Sequence, residues 1–279
     1  MTILLYHRVA RLARYCDPHG LAVTPEQFEQ QMRALHRWDV RCASLPEVVG
    51  RWAAQQRPDD QVALTFDDGY EEFYTTAWPV LERYGLTATV FLVVDCLGRD
   101  SGWAGQGAHR SAPLLTWEQV RELAAHGITF GSHTLTHPHL STLARDEARR
   151  EICVSRDILQ DRLGVEVSLF SYPYSDRTPE VARLVEESGY RAACAADQGA
   201  WGLFNLWRAQ IGCHDNALTF AFKASAWHRR MLWLREETRL GLALHRVARP
   251  VRRLVTREAI SSDRAATASS ARGREHEHS

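Results

Sequence analysis

The stretch VALTFDDG, residues 62–69, joins a short apolar run to two adjacent carboxylates and a glycine. A short apolar run that ends in a turn signal is typical of a buried β-strand. A second stretch, ITFGSHTLTHP at residues 128–138, ends its apolar run with two histidines. The sequence therefore predicts two strands whose ends carry Asp67, Asp68, His133 and His137.

Similar apolar runs recur along the chain and alternate with helical patterns. Alternation of this kind predicts an α/β protein with a mainly parallel sheet. Either a barrel or an open doubly wound sheet fits, and in both folds ligands gather at the carboxyl ends of the strands. The six candidate strands are residues 3–6, 62–66, 88–94, 128–131, 167–172 and 190–195.

The two motifs contain the groups that a metal-dependent hydrolase needs. One carboxylate and two neutral imidazoles can hold a metal such as zinc and leave a position open for water. A second carboxylate that stays off the metal can act as a base. Taken singly the motifs are weak, because Asp-Asp-Gly is also a turn signal and pairs of surface histidines are common. Their joint position at strand ends favours the metal site.

These residues resemble the TFDDG and H-[ST]-x-x-H-P signatures of the polysaccharide deacetylases, also called the NodB-homology or carbohydrate esterase family 4 group. The resemblance runs from about Leu4 to Asn216. It is closest to exopolysaccharide-type members, which open with a segment like YHRV at residues 6–9. It implies a distorted (β/α)7 TIM-like barrel, followed here by a C-terminal helical extension.

The same resemblance implies roles for individual residues. Asp67 would be the catalytic base, and the ligands of a divalent metal would be Asp68, His133 and His137. Zn2+ is the expected metal, with Co2+, Ni2+ or Mn2+ as alternatives. The general acid is expected to be a histidine: His7 is favoured because it follows a strand, and His214, in a later motif, is the alternative.

The segment SYPY at residues 171–174 takes the place of the family's R-x-P-[YF] motif. Ser171 departs from the arginine that orients the base in that family. The backbone N–H of Tyr174 is implied as an oxyanion donor. The expected substrate-binding residues are Tyr172, Pro173, Trp201, Arg208 and His214. Trp201 stands at the family's D-x-x-x-W spacing from Asp197, and Arg208 could instead form a surface salt bridge with an acidic neighbour.

Bulk composition limits the remaining possibilities. The 279 residues have a formal net charge of zero, which gives no general attraction to nucleic acid. Six scattered cysteines and an N-terminus without a basic region or a long apolar run favour a reducing, cytoplasmic location. Residues 98–113, which include Trp103, are expected to form a long loop, either a substrate lip or plain surface.

We expect three regions: a catalytic domain over residues 1–216, a helical extension over 217–260 and a disordered tail over 261–279. The extension is rich in arginine from residue 228 to 257. This composition favours weak peripheral contact with the inner membrane face, or a helix packed on the barrel.

The expected activity is hydrolysis of an N-acetyl or other small acyl group on an amino sugar of a polysaccharide, glycan precursor or small glycoside. A deformylase or a ureide amidohydrolase of the same fold is an alternative within enzymes. A carbohydrate-binding pseudoenzyme is the alternative outside them, and the intact motif residues argue against it. A phosphoesterase with two metals would need further carboxylates at strand ends.

Overall fold

The computed structural model describes residues 1–54, 56, 61–104, 111–196, 201–225, 227–228 and 231. The strands in this part are β1 (Thr2–Tyr6), β2 (Arg8–Val9), β3 (Ala22–Val23), β4 (Arg41–Cys42), β5 (Gln61–Phe66), β6 (Thr89–Leu92), β7 (Thr129–Ser132), β8 (Leu169–Ser171), β9 (Ala192–Ala196) and β10 (Leu206–Gln210). The α-helices are α1 (Pro25–Arg37), α2 (Leu45–Ala53), α3 (Trp78–Arg83), α4 (Trp117–Ala125), α5 (Arg145–Leu163), α6 (Pro179–Glu187) and α7 (Ala217–Ala224).

Seven parallel strands close into a barrel. The order is β1-β10-β9-β8-β7-β6-β5, and β1 pairs again with β5, so the ring has no free edge. Strand β4 pairs with the start of β5, and β2 and β3 form a separate parallel pair. The expected (β/α)7 barrel is confirmed, and the closure excludes the open doubly wound alternative.

The barrel includes one strand that the apolar runs did not indicate. Strand β10 has the sequence LWRAQ and pairs with both β9 and β1. Its central residue, Arg208, interrupts the apolar pattern by which buried strands are recognised. This strand completes the ring, and it also places a buried arginine inside it.

The helices begin where side chains can satisfy their free N–H groups. Thr24 and Thr116 start α1 and α4 with reciprocal hydrogen bonds to Gln27 and Gln119, as the capping-box pattern predicts. Gly164 ends α5 in the left-handed conformation, with a φ of 68°. The strand-helix alternation therefore follows from local signals.

The barrel interior is a packed core. Phe91 from β6 points inward, and a Cβ at Gly131 of β7 would lie 2.6 Å from its ring and 2.9 Å from the Leu169 carbonyl oxygen. Glycine is thus required where β7 passes this ring. The inner cluster also includes Ile3, Ala63, Ala192 and Leu206, which lie in the first halves of their strands. Open space for a ligand is therefore expected at the carboxyl ends.

The chain divides after Arg230, and its first compact unit is Met1–Arg230. The expected boundary at residue 216 stays a prediction. Helix α7 belongs to the first unit, because its Phe220 is buried in the core beneath the helices. Most of the expected extension and the whole of the expected tail lie outside the described residues. In the described part of the chain, we find no helix with the length and apolar character needed to span a membrane.

Candidate active site

The two adjacent carboxylates are separated by a change of backbone direction. Strand β5 ends at Phe66, and Asp68 has a φ of 73°. Gly69 follows with a φ of 74°, and a Cβ there would lie 2.7 Å from Leu92 Cδ2. Because the chain turns directly after Asp67, the two carboxylates take different directions and partners, as the sequence predicts.

A buried carboxylate and two imidazoles converge at this turn. Asp68 Oδ1 lies 3.4 Å from His133 Nε2 and 3.3 Å from His137 Nε2. One ligand atom from each residue lies within 4.8 Å of the others. His133 Nδ1 donates to the Ser171 carbonyl oxygen at 2.7 Å, which leaves the Nε2 lone pair for an ion. This oxygen and nitrogen donor set fits a divalent metal such as zinc with an open position.

The loop that carries the two histidines is not a helical turn, although a spacing of four residues is typical of one face of a helix. Thr134 and His137 have φ angles of 70° and 64°, outside the helical range. The loop is held by Glu151 of α5, which accepts hydrogen bonds from the N–H groups of Leu135 at 2.9 Å and Thr136 at 3.0 Å. The Thr136 hydroxyl also donates to it at 2.8 Å. A charged acceptor thus stabilises backbone angles that a free loop would disfavour.

Asp67 is held away from this group by a buried arginine. The Arg208 Nη1 and Nη2 atoms donate to the two oxygens of Asp67 at 2.6 and 2.7 Å. The Ser171 hydroxyl donates to Asp67 Oδ2 at 3.1 Å and accepts from Arg208 Nη2 at 2.9 Å. The Arg208 side chain is only 1% exposed. Its expected role in substrate binding is therefore wrong, because its guanidinium is enclosed against Asp67.

The charges around the two carboxylates favour their ionised forms. Burial raises the pKa of Asp67, but Arg208 and His133 outweigh it and hold the pKa below its usual value. Burial likewise opposes ionisation of Asp68, but the neighbouring imidazoles of His133 and His137 keep its pKa well below the usual range. Both carboxylates are therefore ionised at neutral pH, as a base and a metal ligand must be.

His7 lies within electrostatic reach of the same carboxylates. It directly follows β1, and burial lowers its pKa while Asp68 and Asp67 act in the opposite direction. Its Nδ1 atom is buried and has no hydrogen-bond partner among the described residues. His214 is exposed in the loop after β10, where its ring packs against Gly20. The structure thus brings His7, and not His214, to the carboxylates.

The SYPY segment separates into buried supports and one exposed residue. Tyr172 is buried, and its hydroxyl donates to the Phe204 carbonyl oxygen at 3.1 Å. Pro173 is also buried and begins the one-turn helix Pro173–Ser175. Both side chains are enclosed in the protein, and their expected substrate contacts stay a prediction. Tyr174 is exposed, and its φ of 56° lies outside the helical range.

Trp201 lies at the other end of the barrel. Its ring is 5.4 Å from the rings of Trp52 and of Trp207, in the cluster around the first residues of the strands. The expected substrate contact of Trp201 is therefore wrong, because its ring lies at the end of the barrel opposite the carboxylates. The spacing that suggested it depends on Asp197, which lies outside the described residues.

The long loop after β6 contributes one residue to the site. The Trp103 ring stacks on the His137 ring at 4.7 Å with an interplanar angle of 27°. Residues 105–110 of this loop lie outside the described residues. The contact places an aromatic ring of this loop on one metal-ligand candidate, and the role of the loop as a substrate lip stays a prediction.

The roles of Glu151 and Arg208 in this site were not predicted from the sequence. Nothing marks Glu151 among the charged residues of α5, because its partner loop lies elsewhere in the fold. Arg208 did carry a signal, since an arginine within an apolar strand needs a buried anion. The absence of the expected arginine at Ser171 is the second half of that signal.

Comparisons with known proteins give independent information. The family model for polysaccharide deacetylase matches residues 54–193. A putative polysaccharide deacetylase of Bacillus subtilis, YxkH, is 28% identical over 216 residues, which cover 76% of this chain and 71% of that protein. A peptidoglycan-N-acetylglucosamine deacetylase of Bacillus cereus is 28% identical over 163 residues, covering 58% of this chain and only 54% of the relative.

Among solved structures, the Streptococcus pyogenes deacetylase PplD in complex with acetate superposes with a TM-score of 0.70. It is 25% identical, and the match covers 81% of this chain and 98% of that one. The part that the family model matches includes the barrel strands that precede Asp67, Asp68, His133 and His137. The chain belongs to the polysaccharide deacetylase family.

Proposed function

We propose that this protein is a metal-dependent N-deacetylase that acts on an amino sugar of a polysaccharide, glycan precursor or small glycoside. The observation that carries the proposal is the division of labour between adjacent carboxylates. Asp68 joins two imidazoles, while Asp67 is held off by Arg208. Family membership and the acetate complex of the similar streptococcal deacetylase support an acetyl group as the part removed.

An amide resists hydrolysis because its carbonyl is a poor electrophile and its amine is a poor leaving group. A divalent metal held by Asp68, His133 and His137 would polarise the carbonyl and acidify water. Asp67 would take the proton of the attacking water, and Arg208 keeps that carboxylate ionised and oriented. The Ser171 hydroxyl adds a further donor to the same carboxylate.

Two other groups complete the reaction. The N–H of Tyr174 would donate to the oxygen that becomes negative as water adds to the amide. His7 would deliver a proton to the departing amine, since its Nδ1 is uncommitted among the described residues and the charges of Asp68 and Asp67 favour its protonated form, although burial lowers its pKa. An amine that leaves protonated is a far better leaving group than an amide anion.

Metal analysis followed by acetate release tests the proposal. The protein is stripped of metal and reloaded in turn with zinc, cobalt, nickel or manganese. It is then offered acetylated amino sugars, with formylated sugars and an open ureide alongside. We expect one bound metal per chain and acetate release that depends on it. Failure to bind any of the four metals above background, or metal binding without hydrolysis of any acetylated sugar, would refute the proposal.

We also propose a cytoplasmic location with weak peripheral contact at a negatively charged membrane face. All six cysteines are free, which agrees with a reducing compartment. Leu218 and Phe222 lie on the exposed side of α7, 82% and 47% exposed. Residues 217–260 contain ten Arg and Lys against three Asp and Glu. A segment that combines exposed apolar residues with an excess of basic residues in its sequence favours an anionic surface.

A further inference from the structure

The two histidines of the candidate metal group are held in different ways. His133 Nδ1 donates to the Ser171 carbonyl oxygen, which is the kind of contact that usually fixes the ring of a metal-binding histidine. His137 Nδ1 is buried and has no hydrogen-bond partner among the described residues. The orientation of the His137 ring must therefore come from another kind of contact.

Aromatic rings surround His137 in place of a hydrogen-bond acceptor. The Trp103 ring stacks on it at 4.7 Å with an interplanar angle of 27°. The rings of Tyr174 and His133 meet it at steep angles, 67° and 66°, with distances of 4.5 and 4.8 Å. Of these three rings in the described part of the chain, Trp103 alone lies nearly parallel to the imidazole. A near-parallel contact restricts the plane in which the imidazole can lie.

The position of Trp103 is set by its own loop. Trp103 belongs to the one-turn helix Gly102–Ala104. The preceding residue, Ser101, is buried, and its N–H donates to the Ala112 carbonyl oxygen at 2.9 Å. The Ser101 hydroxyl accepts from the Ala112 N–H at 3.1 Å. The Trp103 side chain also packs against the buried cluster that contains Tyr70 and Ala112. The loop itself thus holds the tryptophan in place.

The same loop is joined to the turn that carries the carboxylate of the metal group. The Leu115 N–H donates to the Gly69 carbonyl oxygen at 2.9 Å, and the Glu71 N–H donates to the Pro113 carbonyl oxygen at 2.9 Å. Gly69 directly follows Asp68. The loop therefore contacts the carboxylate turn through its last residues and a histidine ring through its tryptophan.

We propose that Trp103 is a positioning residue for the metal site, whose ring holds the His137 imidazole so that Nε2 faces the ion. The stacking contact takes the part that the hydrogen bond to Ser171 plays for His133. Contacts that orient a metal-binding histidine typically change metal affinity about 10- to 100-fold. This inference rests on the metal-binding part of the proposed function, and it gives Trp103 a role that needs no substrate.

The test measures Zn2+ affinity of the full chain without substrate, by competition with a chelator. Trp103→Ala should weaken Zn2+ binding about tenfold, because the imidazole loses its orienting contact. Trp103→Phe keeps a flat ring and should bind Zn2+ within about threefold of the wild type. Trp103→Leu keeps apolar volume without a flat ring, and it should resemble Trp103→Ala.

The visible absorption of the Co2+-loaded protein is a second readout, because it reports the ligand geometry around the ion. We expect the spectrum of Trp103→Phe to match that of the wild type. The spectra of Trp103→Ala and Trp103→Leu should differ from it. A residue that only stabilised the fold would leave this spectrum unchanged in protein that remains folded.

Trp78→Ala is the matched control, because it also removes a tryptophan ring from a histidine. The Trp78 ring meets the His126 ring at 5.2 Å and 63°, where α3 lies against the end of α4. Trp78 is half-buried and packs against the hydrophobic core. This variant should lower stability but keep the wild-type Zn2+ affinity and Co2+ spectrum.

The possible failures are distinguishable. If the wild type binds none of zinc, cobalt, nickel and manganese, the proposed function and this inference are both refuted. If the wild type binds Zn2+ and Trp103→Ala binds it equally well, only the inference is refuted. Equal loss of affinity in Trp78→Ala would assign the effect to general destabilisation and also overturn it.

The comparison of Trp103→Phe with Trp103→Leu decides the matter even if Trp103→Ala does not fold. Tighter Zn2+ binding by the phenylalanine variant than by the leucine variant would support the stacking role. Equal affinity of the two variants would mean that apolar volume, and not a flat ring, is what the site requires, and the inference would be wrong.

Discussion

Arg208 and Asp67 are 141 residues apart in sequence and form a two-point ion pair inside the barrel, with distances of 2.6 and 2.7 Å. Both side chains are almost fully enclosed, at 1% and 4% exposure. A buried carboxylate without such a partner would be costly to ionise. The arginine of β10 therefore supplies what Ser171 of β8 lacks, and it keeps the candidate base charged.

Arg208→Lys is expected to lower kcat about 10- to 100-fold without loss of metal, because lysine retains the charge but not the two-point geometry. The ion pair holds the pKa of Asp67 low, and activity requires the ionised form. Weakening the pair raises that pKa, so activity should be lost at a higher pH than in the wild type as the solution is acidified. The pH profile of kcat/KM measures this shift.

Arg191→Lys is the control for that experiment, since Arg191 forms an exposed ion pair with Glu166 at 3.0 Å. Surface pairs contribute little, and we expect wild-type kinetics. If Arg208→Lys also shows the wild-type kcat, and its kcat/KM falls at the same acidic pH as that of the wild type, the positioning role of Arg208 is wrong.

Asp68→Ala, His133→Ala and His137→Ala should each lower metal content strongly, because each removes one of three protein ligands. Asp67→Asn should keep the metal and lose activity. His126→Ala, an exposed histidine at the end of α4, should change neither. Metal content is measured by mass spectrometry. Unchanged content in the Asp68, His133 and His137 variants would show that the ion binds elsewhere.

Glu151→Ala should weaken metal affinity about tenfold, although Glu151 is not a metal-ligand candidate. It accepts three hydrogen bonds from the loop that presents His133 and His137. The metal affinity of Glu151→Gln should lie between those of the wild type and of Glu151→Ala, because the amide oxygen can still accept hydrogen bonds. The measurement is competition with a chelator.

The control for Glu151 is Glu147→Ala in the same helix, since among the described residues Glu147 accepts a hydrogen bond from the Ala144 N–H at the helix start. This variant should lose about 1 kcal/mol of stability but keep its metal affinity. Equal loss of metal affinity in both variants would mean that α5 as a whole is weakened and that Glu151 has no special role.

His7→Ala should keep its metal and lower kcat strongly for amide substrates, while an activated ester should be affected less. The reason is that an activated ester releases a group that needs no proton. His214→Ala, on the exposed loop after β10, should remain near wild type for both substrates. If His214→Ala loses kcat for amides and His7→Ala stays near wild type, His214 is the general acid.

Vesicles with anionic lipid should bind the protein weakly at low salt and release it as salt is added. Replacing Leu218 and Phe222 by serine should reduce this binding, because both are exposed on α7. Val165→Ser is the control, since Val165 is 60% exposed beyond α5. Absence of binding at low salt, or binding that salt leaves unchanged, would remove the membrane proposal.

Much of the fold was predictable from local features. Apolar runs marked six of the seven barrel strands, and the threonines at 24 and 116 marked helix starts. The residues of the metal group were predictable because they stand directly after strands, and parallel strands bring their carboxyl ends to one edge. Strand β10 was missed because Arg208 breaks the pattern on which strand recognition depends.

The sequence by itself determined the chemical types present at the strand ends: two carboxylates, two imidazoles and a glycine that allows the turn. Only the tertiary structure decided how they are used. Closure of β1 onto both β5 and β10 brings Arg208 to Asp67, while the same closure leaves Trp201 at the opposite end. The physical reason is that strand order and register set which inward side chains meet, and long-range pairing leaves no mark on local spacing.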